Sequence, residues 1–155
     1  MSNPTRPFPA SADENDLVRR RIGAQVLGPM ISRGEFDSIT EQFREVLDRA
    51  RGVPSVDRER FFAALEVDED RRDLAIAING LMHGKRAVKQ RFEHCLATLQ
   101  RLDLATWPLL TVWLALLHPS RFRLIDAESA ARLGLTLDWS GFCRSQRASV
   151  ERPAK

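Results

Sequence analysis

Between Asp103 and Arg121 the chain carries no formal charge, and most of that interval, Leu104 to His118, reads LATWPLLTVWLALLH. On a helical wheel its apolar residues leave only a narrow seam of Thr111, Ala115 and His118. A helix apolar on nearly every side must be covered on nearly every side. At 15 residues it is shorter than the ~20 needed to cross a bilayer, so other parts of the protein must do the covering. The sequence predicts an all-α, single-domain, bundle-like array of about six or seven helices around a buried central helix, 104–118.

A chain of 155 residues holds one domain with a substantial core, and the remaining segments supply the covering helices. Leu17, Val18, Ile22, Val26, Leu27, Met30 and Ile31 recur at helical spacing behind Asp13, Glu14 and Asp16, carboxylates that suit a positive helix end. Gly23, Gly28 and Pro29 interrupt the pattern, and the helix is expected to kink or break near Gly28-Pro29. Phe36, Ile39, Phe43, Val46, Leu47 and Ala50 mark the next, with Asp37 or Ser38 as cap and Gly52 as stop. Pro54-Ser55 opens a short helix around Phe61, Phe62 and Leu65, and Asp68-Glu69-Asp70 starts one that ends near Gly84. A fifth runs from about Lys85 to Leu102, with Val88, Phe92, Cys95, Leu96 and Leu99 in one apolar arc. Thr106-Trp107-Pro108 opens the central helix, where a first-turn proline loses no hydrogen bond, and His118-Pro119 closes it. Arg121 to Ile125 alternates charge with bulk and is expected to be extended; Asp126 then caps ESAARL, stopped by Gly134.

Residues 1–12 contain three prolines and no periodicity, so a disordered leader is expected ahead of a helical domain spanning 13–143. The polar stretch 144–155 is expected to fray. No secretory signal and no membrane span is read, which makes the cytoplasm the expected location and Cys95 and Cys143 free thiols.

Gly80-Leu81-Met82-His83-Gly84-Lys85-Arg86 looks at first like a phosphate loop. Its glycines are separated by three residues rather than four, Arg86 stands where Ser or Thr would hold Mg²⁺, and a helix rather than a strand precedes it. His83, His94, Cys95, His118 and Cys143 lack the close pair spacings of zinc sites. His94 and Cys95 are adjacent on one helix and diverge by about 100°, and a thiol in an apolar arc is unreactive. No catalytic, cofactor-binding or metal-ligating residue is assigned, and no cofactor is expected.

The net charge of +3 is uneven: residues 13–78 balance to −4 and residues 79–155 to +6. Such asymmetry suits an acidic partner for the second half, although 21 of the 24 bases are Arg, as compositional bias alone would produce. Lys85, Arg86, Lys89 and Arg91 place four bases in seven residues; they could neutralise phosphates or simply snorkel along a bundle rim. Arg121 and Arg123 flank Phe122, a pattern compatible with base stacking, and Arg144 adds a further candidate.

From Asp126 to Arg144 the chain reads DAESAARLGLTLDWSGFCR, with small Ala130 four residues before Gly134, apolar Leu135 next, and Thr136 or Asp138 able to cap a second helix. Over these 19 residues it resembles the helix–turn–helix of bacterial DNA-binding proteins, and the resemblance implies a second helix entering the major groove. Ser140 departs from the pattern where an apolar anchor belongs, and Gly141 weakens that helix; Trp139 and Phe142 could bury in a shifted register. The sequence points first to a non-catalytic helical protein-interaction module with a protein partner. The alternative is a DNA-associated or regulatory protein using the basic second half and segment 126–144. An uncovered apolar face would favour the first. Positive charge gathered from 85–91, 121–123 and 144–147 would favour the second.

Overall fold

The computed structural model of the protein describes residues 12–151. These form nine helices and no strand: α1 (Ala12–Ile22), α2 (Ala24–Ser32), α3 (Phe36–Arg49), α4 (Ser55–Ala64), α5 (Asp68–His83), α6 (Val88–Arg101), α7 (Trp107–Leu117), α8 (Ala127–Arg132) and α9 (Trp139–Glu151). The expected leader lies outside the described residues except for Ala12, which opens α1; so do residues 152–155 of the expected tail. Among the described residues no helix is long and apolar enough to cross a membrane.

The apolar segment becomes α7, and all eleven of its residues are buried beneath α1, α5, α6 and α8. Thr106 caps it by accepting the Leu109 amide at 3.3 Å, with Pro108 in the first turn. The polar seam is used rather than left to solvent. Thr111 donates its hydroxyl proton to the Trp107 carbonyl at 2.7 Å and accepts the Ile125 amide at 2.9 Å, which pins the irregular segment 122–126 onto the central helix. Trp113 is fully buried between Phe43 of α3 and Phe61 of α4, with ring centroids 5.4 and 5.6 Å away.

The helix count exceeds the sequence expectation because the first segment is two helices and residues 139–151 form another. The break falls at Gly23, not at Gly28-Pro29: Gly23 turns to ψ 170°, and a Cβ there would stand 2.3 Å from the Arg19 carbonyl oxygen. Pro29 stays inside α2, where Pro29 and Gln25 are both exposed and water can take the carbonyl that the proline leaves unpaired. Neither Asp37 nor Ser38 caps α3, whose N-cap is Glu35 without a side-chain bond. Asp37 instead pairs with Arg71 of α5. The fifth expected helix starts at Val88 rather than Lys85, since Ala87 is extended as its N-cap. Helix α9 carries the chain through to Glu151, across residues expected to fray.

Candidate functional site

Helix α1 lies across the C-terminal ends of α7 and α5. From its first turn the Asn15 side-chain amide donates to the Leu116 and Leu117 carbonyls at 2.8 and 3.1 Å. At its last turn the Ile22 carbonyl receives His83 Nε2 of α5 at 2.9 Å. These two contacts are about 10 Å apart along the axis at 1.5 Å per residue. Arg19, four residues after Asn15 and three before Ile22, lies on the same face between them. From α6, Arg91 donates through Nη1 to the Leu81 carbonyl at 2.7 Å and through Nε to the Arg86 carbonyl at 2.8 Å. Asn15, His83 and Arg91 thereby satisfy carbonyls that helix ends leave unpaired.

His118, the C-cap of α7, is half-buried in this corner. Burial pushes its imidazole below the ordinary histidine range, and the charges of Arg121, Arg19, His83 and Arg91 push the same way. Arg121 is exposed, with its guanidinium 5.3 Å above the Phe122 ring. That ring lies 6.3 Å from the His118 ring and stacks on Phe142 of α9 at 6.1 Å. With Arg121 on the ring and Phe142 stacked against it, Phe122 offers no open platform for a base, contrary to the basic–aromatic–basic expectation.

The expected anion contacts separate into two kinds. Lys85, Arg86, Lys89, Arg121 and Arg144 are exposed, and none forms an ion pair among the described residues. Lys85 and Arg86 directly follow the C-cap Gly84, and the Arg91 bond to the Arg86 carbonyl holds this connection beside α6. Arg91 and Arg123 are half-buried and engaged with main chain. Arg123 donates to the Pro119 carbonyl, while its amide and carbonyl are bridged by the Gln146 side chain at 2.7 and 3.1 Å. The structure brings Arg91 and Arg121 together around His118, and the Gln146 bridge sets α9, which carries Arg144, against the 121–123 segment. Arg19, His83 and His118 complete the corner. They escape sequence reasoning because α1 and α7 meet across about a hundred residues of chain; basic residues in the last turns of α1 and α5 are the visible signal.

The helix–turn–helix geometry is not reproduced. Helix α8 has six residues and is joined to α9 through 133–138, longer than the three to four residues of that turn. Its main packing partner is α7, and that of α9 is α6. Trp139 and Phe142 face inward, 5.5 and 4.7 Å from the Phe92 ring, so the shifted register is the one adopted. Asp138 caps α9, accepting from the Gly141 amide at 2.8 Å and the Thr136 hydroxyl at 2.9 Å. These bonds, the amide first, hold its carboxyl below the usual range. Gly141 is required here: a Cβ would stand 1.8 Å from the Thr136 carbonyl oxygen.

Other surfaces offer less. An open cleft of about 700 Å³ between the starts of α3 and α5 is lined by Glu35, Asp37, Asp68, Glu69, Arg71 and Arg72. Its acids Asp37 and Asp68 are solvated and tied to Arg71, which also donates to the Leu65 carbonyl at 2.8 Å. Among the described residues no three His, Cys, Asp or Glu side chains gather to hold a metal. Burial pushes the Cys95 thiol up to about 12. Among the described residues the large hydrophobics left exposed are Val56, Val67 and Ile76; Val56 belongs to α4, Val67 is the N-cap of α5 and Ile76 lies nine positions further on, so these three form no broad apolar face. Comparison with protein families, curated proteins and solved structures finds no match to this chain.

Proposed function

We propose that the protein is a non-catalytic helical module that binds the phosphate backbone of duplex nucleic acid through the basic corner where α1 crosses α5 and α7. One observation carries this reading: exposed Arg19 and Arg121 flank the half-buried His118 where α1 crosses the ends of α5 and α7, and exposed Lys85 and Arg86 follow α5 in the connection that Arg91 holds beside α6. A surface of this kind neutralises phosphates and releases their counterions, giving affinity without sequence preference. The inward-facing Trp139 and Phe142 argue against a recognition helix in the groove. Protein-only interaction has less support, since no broad apolar face is exposed among the described residues.

The test is fluorescence anisotropy with short labelled duplexes of unrelated sequence at low salt. Wild type should bind them with similar affinity, and the combined Lys85→Gln, Arg86→Gln, Lys89→Gln variant should bind at least about tenfold more weakly. No binding by the folded wild-type protein at low salt would overturn the proposal.

A further inference from the structure

We infer that Arg19, His118 and Arg121 form a seat for one phosphate group, on a nucleic-acid backbone or free in solution, and that His118 takes up a proton as the phosphate enters. The starting point is a surplus of cations. Helix C-termini attract bases for structural reasons alone, and here Asn15, His83 and Arg91 already fill that role with bonds of 2.7–3.1 Å. Arg19 and Arg121 hold none of these carbonyls and form no ion pair among the described residues. Both are exposed: Arg19 lies one turn after Asn15 on the face of α1 that meets Leu116 and Leu117, next to His118, and the Arg121 guanidinium lies over the Phe122 ring beside the imidazole.

The charged groups that act on His118 come from three helices and the following segment, Arg19 from α1, His83 from α5, Arg91 from α6 and Arg121 after α7, while α8 and α9, which also pack nearby, supply none of them. The acids of α1 nearest in sequence are engaged elsewhere, Asp16 with Arg20 at 3.0 Å and Glu14 with Arg51 at 3.6 Å. No carboxylate is among the groups that act on His118. Phe122 forms a wall, with its ring under the Arg121 guanidinium and beside the imidazole.

The surrounding charge disfavours imidazolium. A phosphate placed among the same cations reverses the sign of the local field, so entry of the anion and uptake of a proton favour each other. Binding therefore tightens as pH falls, by up to about tenfold for each unit that the phosphate raises the His118 pKa. The inference rests on the backbone-binding reading for its larger ligand, whereas the seat itself needs only phosphate.

Histidine ring resonances of the full chain, followed by NMR against pH, test the seat with inorganic phosphate or sodium chloride at matched ionic strength. The His118 signal is the one missing from His118→Gln. Phosphate should move its midpoint upward, and the exposed-site pair Arg19→Gln, Arg121→Gln, shown folded by circular dichroism, should abolish the movement. Duplex affinity measured in parallel should rise from pH 8 to pH 6. If phosphate moves the midpoint but duplex does not bind, the seat stands for free phosphate and the backbone reading falls. If duplex binds equally at both pH values and phosphate leaves the midpoint unmoved, the seat is overturned while the backbone reading stands. If neither ligand has an effect, both fall.

Discussion

Trp113 concentrates the stability of the fold in one side chain. It is fully buried against Phe43 and Phe61, so Trp113→Ala should cost about 3–5 kcal/mol in denaturant melts, against a total of roughly 5–15 kcal/mol for a domain. Its indole N–H is buried without an acceptor, and an unmade hydrogen bond is itself a cost. Trp113→Phe removes that donor and should cost less than half as much. An equal loss for the two variants would show that ring volume alone matters. His118 gives the fold a pH dependence of definite sign. Its pKa is lowered by the fold, so just below the usual histidine value the unfolded chain binds more protons than the native one. Stability is then full above about pH 6.5 and declines as pH falls through the window beneath it. Urea midpoints between pH 7 and pH 5 should fall less steeply in His118→Gln; parallel profiles would remove His118 as the cause.

Helix ends test the account at the next scale. Gly134 follows α8 with φ 62°, and the Leu135 amide closes back on the Ala130 carbonyl at 3.0 Å. Gly134→Ala should therefore cost about 1 kcal/mol. Asp103 adopts φ 60° after α6 with an L side chain, and Asp103→Gly should raise stability by up to about 1 kcal/mol. Thermal melts that move the same way for both would contradict these assignments. The elements legible in the sequence were those whose signals are local: the all-round apolar run of α7, the Asp126 cap, and the Gly134 stop. Gly23 was legible as an interruption, but that the break falls there rather than at Gly28-Pro29 was not, because it depends on the close approach of the backbone to the Arg19 carbonyl. Asp37 was misassigned as a cap because its partner, Arg71, is 34 residues away. The site follows the same pattern. Lys85, Arg86, Lys89 and Arg91 were visible as a run, whereas Arg19 and His118 come together with Arg91 only once α1 is laid across the ends of α5 and α7.

For the molecule as a whole, the uneven charge of the chain becomes a surface property. The basic second half contributes Arg91 and Arg121 to the corner around His118, with Lys85 and Arg86 in the connection that Arg91 holds, and the otherwise acidic first half contributes Arg19. On the proposed reading this surface would hold a backbone without reading bases, so substitutions between Thr136 and Arg144 that preserve the Asp138 cap and Gly141 should leave any sequence preference unchanged. The most direct test is the salt dependence of duplex affinity. A plot of log Kd against log salt should be steep for wild type and should lose about 0.9 in slope for each phosphate contact removed. Combining Arg19→Gln, Lys85→Gln, Arg86→Gln and Arg121→Gln should flatten it by two units or more, while an equal number of Gln substitutions at Arg33, Arg58, Arg60 and Arg72 should leave it unchanged. Equal slopes for the two sets would contradict a phosphate-binding corner.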